Sequence, residues 1–293
     1  MKNNTTTIAL NYSALRRYLF TVMLLAISMV LFLTHGLFAQ GSLLLTPKRV
    51  VFEGNKVSES INLANLGKDT ARYVISLVHL RMREDGGFDE ISQSEAGEFS
   101  AEPYIRYFPR TVTLAPNEAQ VIRMQFVKKA GQMAKGEYRA HLYVRALPNP
   151  TPLGEKETAQ STSIAVKLVP VFGISLPVII RVGESNTATS ITGLSLKTSS
   201  TDLSNLSLTL NRSGNMSVYG DISVKHIASN GKSTLVSIVK GLAVYTPNLL
   251  RYIQLPLDNL VGVNYHSGKL VAQFNSNADG KDKKTVEAEL ALY

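Results

Sequence analysis

The sequence predicts an all-β protein of two successive β-sandwiches behind an N-terminal export signal. Three observations predict the class. Apolar and polar residues alternate with period two over most of the chain, β-branched residues are enriched, and turn residues recur about every ten positions. No helical stripe follows the leading segment.

That segment comes first. Arg16 and Arg17 form a positive flank, Tyr18 to Leu33 run almost without polar residues, and Leu37-Phe38-Ala39 ends on a small residue. Positive flank, apolar core and small exit residue are the parts of a secretory signal peptide. Leu37 departs from the best Ala-x-Ala exit, and cleavage is expected after Ala39, so that residues 1–39 are lost. The competing reading is an uncleaved anchor, but the apolar run is short for a span of about 20 residues. No second stretch of spanning length follows.

The first sandwich, 40–182, reads as seven strands. They are Leu43–Phe52, Val57–Leu66, Arg72–Met82, Tyr104–Leu114, Gln120–Val127, Gly136–Leu147 and a long one at 163–181. Turns fall at Glu53-Gly54-Asn55 and at Ala115-Pro116-Asn117-Glu118. A polar stretch containing Asp85-Gly86-Gly87 and running to Ser100 reads as a mobile loop, and Pro148 to Thr162 as a second loop. Seven is the strand count of a constant-type immunoglobulin sandwich. Composition shifts at Gly183-Glu184-Ser185-Asn186, and 183–293 is rich in Ser, Thr and Asn. Strands are expected there at 191–196, 206–210, 217–226, 235–239, 250–255, 269–274 and 285–292, with turns at Asn211–Gly214, Asn230-Gly231 and Asp279-Gly280. Asn-Gly between two alternating runs is a strong hairpin signal.

Composition narrows the function. There is no cysteine, so an exported chain of this kind holds its domains by packing alone and has no thiol chemistry. The formal charge is +9, but Lys2, Arg16 and Arg17 lie in the leading segment, leaving about +6 spread without a basic run. That excludes nucleic-acid binding and suits acidic chain segments or a carboxylate. His79, His141, His226 and His266 share no metal-ligand spacing, and no His-Glu-x-x-His, Gly-x-Ser-x-Gly or phosphate loop occurs. The chain reads as no enzyme, with no cofactor, no metal and no small-molecule substrate. Asn205, Asn211 and Asn215 begin Asn-x-Ser triplets of the kind chance supplies in so Ser-rich a segment.

The long strand is the odd piece. One face carries Ile164, Val166, Leu168, Pro170, Phe172, Ile174, Leu176 and Val178, and the other is apolar over much of its length. Pro170 and Pro177 cannot donate ladder hydrogen bonds and belong at edges or bulges. A long apolar edge is an aggregation site unless it is meant to pair. It reads either as a strand offered to a partner or as a bent strand buried between domains. The two agree if its first half is exposed and its second half buried.

Thr46-Pro47-Lys48-Arg49-Val50-Val51-Phe52-Glu53-Gly54 resembles the first strand of PapD-like periplasmic pilus chaperones. The stretch Pro109 to Arg123 is similar to that family's turn and following strand, and Gly136 to Leu142 to the sixth strand of its archaic branch. Leu147-Pro148 opens the variable loop, and Asn211 to Asn215 with Ser217 and Tyr219-Gly220 resembles a second-domain hairpin. The resemblance implies two immunoglobulin-like domains in a boomerang arrangement. It implies a periplasmic chaperone that lends its seventh strand to incomplete pilus or fimbrial subunits and delivers them to an outer-membrane usher. Donor side chains would be Val166, Leu168, Pro170, Phe172 and Ile174. Two basic residues would anchor the client's carboxylate. Arg49 matches the first, Pro177 stands where the second, a Lys, is expected, and Arg139 on the sixth strand is the substitute. A self-capping dimer would shield so sticky an edge. The reading that competes is a structural surface or pilus component of immunoglobulin-like domains.

Overall fold

A computed structural model describes residues 43–92, 98–127, 133–147, 172–198, 204–276 and 284–293, together with Phe20 and Met23. The leading segment, the 148–162 loop, the Asp279-Gly280 turn and residues 163–171 of the long strand otherwise lie outside the described residues. Those described, from Leu43 on, form nineteen strands and one short 3-10 turn, Glu102–Tyr104.

The first half of the chain supplies β1 (Leu43–Thr46), β2 (Val50–Phe52), β3 (Ser58–Asn65), β4 (Ala71–Val78), β5 (Leu80–Met82), β6 (Phe88–Glu90) and β7 (Phe99–Ser100). It continues with β8 (Ile105–Phe108), β9 (Thr111–Leu114), β10 (Ala119–Phe126), β11 (Gly136–Leu147) and β12 (Gly173–Val182). One sheet has the order β1-β3-β10-β8 and the facing sheet β2-β12-β11-β4-β9. In immunoglobulin terms these are strands A-B-E-D against C-F-G, with β2 and β9 added at the two edges. Between them lies one core, in which Ile61, Leu63, Ile122 and Met124 meet Tyr73, Ile75, Ala140, Leu142, Val178 and Ile180.

Three expected strands are each two. Leu43–Phe52 breaks at Pro47-Lys48-Arg49, and its halves join opposite sheets. Tyr104–Leu114 breaks at Pro109-Arg110 in the same way. Proline has no N–H for a ladder and serves as a corner. Arg72–Met82 breaks at His79, and the loop expected to follow contains a small hairpin, β5 with β6. Asn65 ties the base of this sandwich. Its amide donates to the carbonyls of Asp69, Leu114 and Ala115, and its Oδ1 accepts from Gly67 N.

The second half supplies β13 (Ala188–Thr198), β14 (Ser204–Ser213), β15 (Val218–Ile227), β16 (Ser233–Val244), β17 (Leu250–Leu257), β18 (Gly268–Ser276) and β19 (Thr285–Leu292). The orders are β13-β14-β17 and β16-β15-β18-β19. Strict alternation builds its core: Leu206, Leu208 and Leu210 face Ile222, Val224, Leu270, Ala272 and Phe274. The Asn230-Gly231 hairpin joins β15 to β16, with Gly231 at φ 83°. The turn expected at Asn211–Gly214 starts later, because β14 runs through Ser213. There Gly214 sits so close to the link after β12 that an added Cβ would lie 2.7 Å from Thr187 Cα.

Candidate functional site

β11 decides the site because its two faces differ. Tyr138, Ala140, Leu142 and Val144 enter the first core, while Glu137, Arg139 and His141 are buried on the opposite face. Period two puts all three in a row. The row meets the second sandwich. Val51, Met82 and Ile179 pack there against Ala243 and Tyr245, with Tyr219 at the margin.

Several polar groups of this interface are tightly held. Glu137 Oε2 accepts from Ser217 Oγ at 2.6 Å and Ser217 N at 3.0 Å, and pairs with Arg181 at 3.4 Å. Arg181 also reaches Glu53 at 3.6 Å. Arg139 donates from Nη1 to Thr246 O at 2.9 Å and from Nη2 to Leu80 O at 3.2 Å, and its Cζ lies 4.6 Å from the Tyr245 ring centroid. Burial lowers the Arg139 pKa, and the charges of Glu137 and Glu98 oppose that. The Tyr245 hydroxyl is pushed up to about 12 by burial, with Arg49 and Arg139 pulling the other way. Arg212 donates to the carbonyls of Gly214, Met216, Pro247 and Asn248, which shapes the loop that carries Thr246.

His141 differs from its neighbours. Neither ring nitrogen has a hydrogen-bond partner among the described residues. Phe88 of the β5–β6 hairpin covers the ring edge-on at 5.2 Å. Burial first, and then the charges of Arg139 and His79, lower its pKa to about 3. The same hairpin is tied to the second sandwich, for Asn248 Nδ2 donates to Met82 O and Tyr252 N to Glu84 O. Sequence reasoning missed Glu137, His141 and Tyr245. Alternation alone carried no signal for them, since ionisable residues at every second position of a strand are the ordinary pattern of a solvent-facing row.

Arg49 borders the same interface, with its guanidinium nitrogens buried. Its Cζ stands 4.2 Å from the Tyr219 ring centroid, and the residue lines a groove of about 360 Å³ with Pro47, Val51, Glu53, Lys56 and Glu59. The predicted anchor residues therefore have different settings. Arg49 stacks on Tyr219 and borders a groove, while Arg139 stacks on Tyr245 and is only 3 % exposed, with two nitrogens on backbone carbonyls.

β12 carries the other predicted residues. It pairs antiparallel with β11 along its whole length, but β2 pairs it, in parallel, only at Val178, Ile179 and Ile180. Among the described residues no strand pairs with Gly173–Pro177 on that side. Leu176, Val178 and Ile180 point into the first core, and Phe172 and Ile174 continue their row into solvent, at 49 % and 37 % exposure. The exposed half and the buried half thus belong to one strand. Continuing the β2 register one step sets Arg49 level with Pro177, where the open edge begins. Val166, Leu168 and Pro170 lie outside the described residues.

Among the described residues, no group of three or more His, Cys, Asp and Glu side chains could hold a metal ion. None of their helices is long and apolar enough to cross a membrane.

No family model matches the chain, and no curated protein does. Solved structures do. The YadV chaperone matches at 13 % identity and a TM-score of 0.43, over 85 % of this chain and 99 % of that one. The CupB2 chaperone of Pseudomonas aeruginosa matches at 13 % and 0.41, over 85 % and 100 %. The third is the CsuC–CsuE chaperone–tip adhesion subunit pre-assembly complex, from the archaic chaperone-usher Csu pili of Acinetobacter baumannii. It matches at 14 % and 0.42, over 84 % and 97 %. All three are chaperones or contain one.

Proposed function

We propose that this chain is a periplasmic chaperone for pilus or fimbrial subunits, working by strand donation from β12. The observation that carries the reading is the open edge at Gly173–Pro177, with Phe172 and Ile174 exposed beside it and Arg49 at its end. A free apolar edge on a folded sheet pairs with another strand. A client strand laid along it in the place β2 leaves vacant, and in the direction of β2, would end at Arg49. Its terminal carboxylate would then reach the groove. Backbone hydrogen bonds supply affinity, and each apolar donor side chain that becomes fully buried adds about 1.5–3 kcal/mol before ordering costs.

The rest of the proposal follows from this core. Residues 1–39 are the export signal, and 40–182 and 183–293 are the two domains. Val166, Leu168 and Pro170 extend the donor row upstream. Arg49 is the carboxylate contact, and Arg139 braces the interface behind it. An outer-membrane usher receives the client. With no client, two copies pairing through the same edges would cover them.

The test is co-expression of the full chain with its genomic neighbours in a bacterial periplasm. The wild type should hold a small subunit, and Phe172→Glu/Ile174→Glu should lose it while keeping its thermal unfolding transition. Equal recovery of the same client by both forms would refute strand donation.

A further inference from the structure

Gly173 opens the free edge of β12, and the ring of Tyr143 occupies the place where its side chain would be. A Cβ added at Gly173 would stand 2.5 Å from Tyr143 Cε2 and Oη and 2.6 Å from Cζ. Tyr143 belongs to β11, where it is level with Ser175, and Gly173 is level with Arg145. The contact is therefore a diagonal across the strand pair, a distance that an aromatic side chain spans.

The edge is weak at this point. Glycine gives up more backbone freedom than any other residue when it is fixed in a strand, and it has no side chain to pack. Gly173, Ile174 and Ser175 are all exposed. Ala146 N donates to Phe172 O at 3.0 Å. Bonded pairs alternate along an antiparallel ladder, so the amides of Ile174 and Leu176 turn to β11 and those of Gly173 and Ser175 turn to the open side. Pro177 has no amide to offer there. The Tyr143 ring thus reinforces the ladder where β12 has least of its own to pack, as aromatic rings do for cross-strand glycines. It also leaves the edge bare, and a glycine within a strand suits the close approach of another backbone.

We infer that Tyr143 is a positioning residue of the donor strand, its ring lying over Gly173 to hold the open edge extended before a client arrives. This rests on the reading of β12 as the donor strand. A client then meets an edge already in ladder geometry, and the ordering of that edge no longer subtracts from binding.

The experiment is amide hydrogen exchange on the full exported chain without client, read at Ile174, with Leu208 of the second sandwich as the reference. Tyr143→Ala should speed exchange at Ile174 about two- to fivefold, the scale of a cross-strand aromatic pair, and leave Leu208 unchanged. Tyr143→Phe should match the wild type, because the ring is kept. Gly173→Val added to Tyr143→Ala should restore slow exchange, since a β-branched side chain then fills the vacated place. In the wild-type background the same valine meets the ring and should bring no such gain. The inference is overturned if Tyr143→Ala leaves Ile174 unchanged, if Leu208 speeds up equally, or if Gly173→Val slows exchange equally in both backgrounds. Fluorescence anisotropy with a labelled peptide of alternating valine and threonine then reads the pairing itself. Tyr143→Ala should weaken binding by the factor seen at Ile174, and the double variant should recover it. Equal binding by wild type and Tyr143→Ala would overturn the positioning role even where exchange has changed. If the wild type binds no peptide, strand donation from β12 fails, while the exchange cycle still decides whether Tyr143 holds Gly173.

Discussion

His141 makes the folded chain sensitive to acid. It is 2 % exposed at the interface of the two sandwiches, and its nitrogens bond nothing among the described residues. The groups that face it are Phe88, Tyr245, Arg139 and His79, and none is a carboxylate. Its pKa is about 3 when folded, against 6.5 for an ordinary histidine. The sign follows from proton counting. Below about pH 6.5 the unfolded chain binds a proton at this position that the folded chain does not, so stability falls as pH falls, down to about pH 3. Between pH 7.5 and 5 the loss assigned to His141 alone is about 2 kcal/mol, from 1.36 kcal/mol per unit. The perturbation is His141→Leu, an apolar side chain of similar volume. Because the imidazole makes no hydrogen bond to lose, the variant should match or exceed the wild type at pH 7.5. Urea unfolding of both forms at pH 7.5 and 5 is the assay. His79, also lowered by burial, contributes with the same sign to both forms and cancels in the difference. The wild type should lose about 2 kcal/mol more than the variant. Equal losses would refute the assignment.

Other substitutions test the frame. Ser217→Ala removes the hydroxyl that donates to the buried Glu137 carboxylate, and should cost about 1–3 kcal/mol in chemical unfolding. Arg81 grips Glu98 with two bonds, at 2.9 and 2.7 Å, and the Glu98 side chain is 2 % exposed. Arg81→Met should therefore cost about 3–5 kcal/mol, and adding Glu98→Leu should recover most of it. Asn65→Ala should lower the thermal midpoint by more than an exposed Asn→Ala change, since four bonds at the base of the first sandwich are lost together. Leu142→Ala opens a cavity in a fully buried layer and should cost about 2–5 kcal/mol.

Much of this protein is written locally. The all-β class, the alternation of β14, β15 and β18, the Asn230-Gly231 hairpin and the full extent of β11 follow from residue patterns that repeat every second position. Such patterns are local because a strand has one inward and one outward row, and composition alone reports which is which. A strand ending near Arg181 was legible too, and β12 runs from Gly173 to Val182.

Tertiary structure decided the rest. Pattern cannot tell a strand that continues from one that changes sheets, so the breaks at Pro47-Lys48-Arg49 and Pro109-Arg110 appear only when the sheets are assembled. Nor can it say which partner buries a second face. Glu137, Arg139 and His141 read as ordinary polar positions until the second sandwich closes over them, bringing Ser217 and Tyr245 from far along the chain. The groove is likewise a matter of contact, for Lys56 and Glu59 line it with Pro47 and Arg49 only once the strands are assembled. The sequence determined what each strand could bury. Only the packing of strand on strand decided what was left open, and the edge from Gly173 to Pro177 stays open because β2 is three residues long.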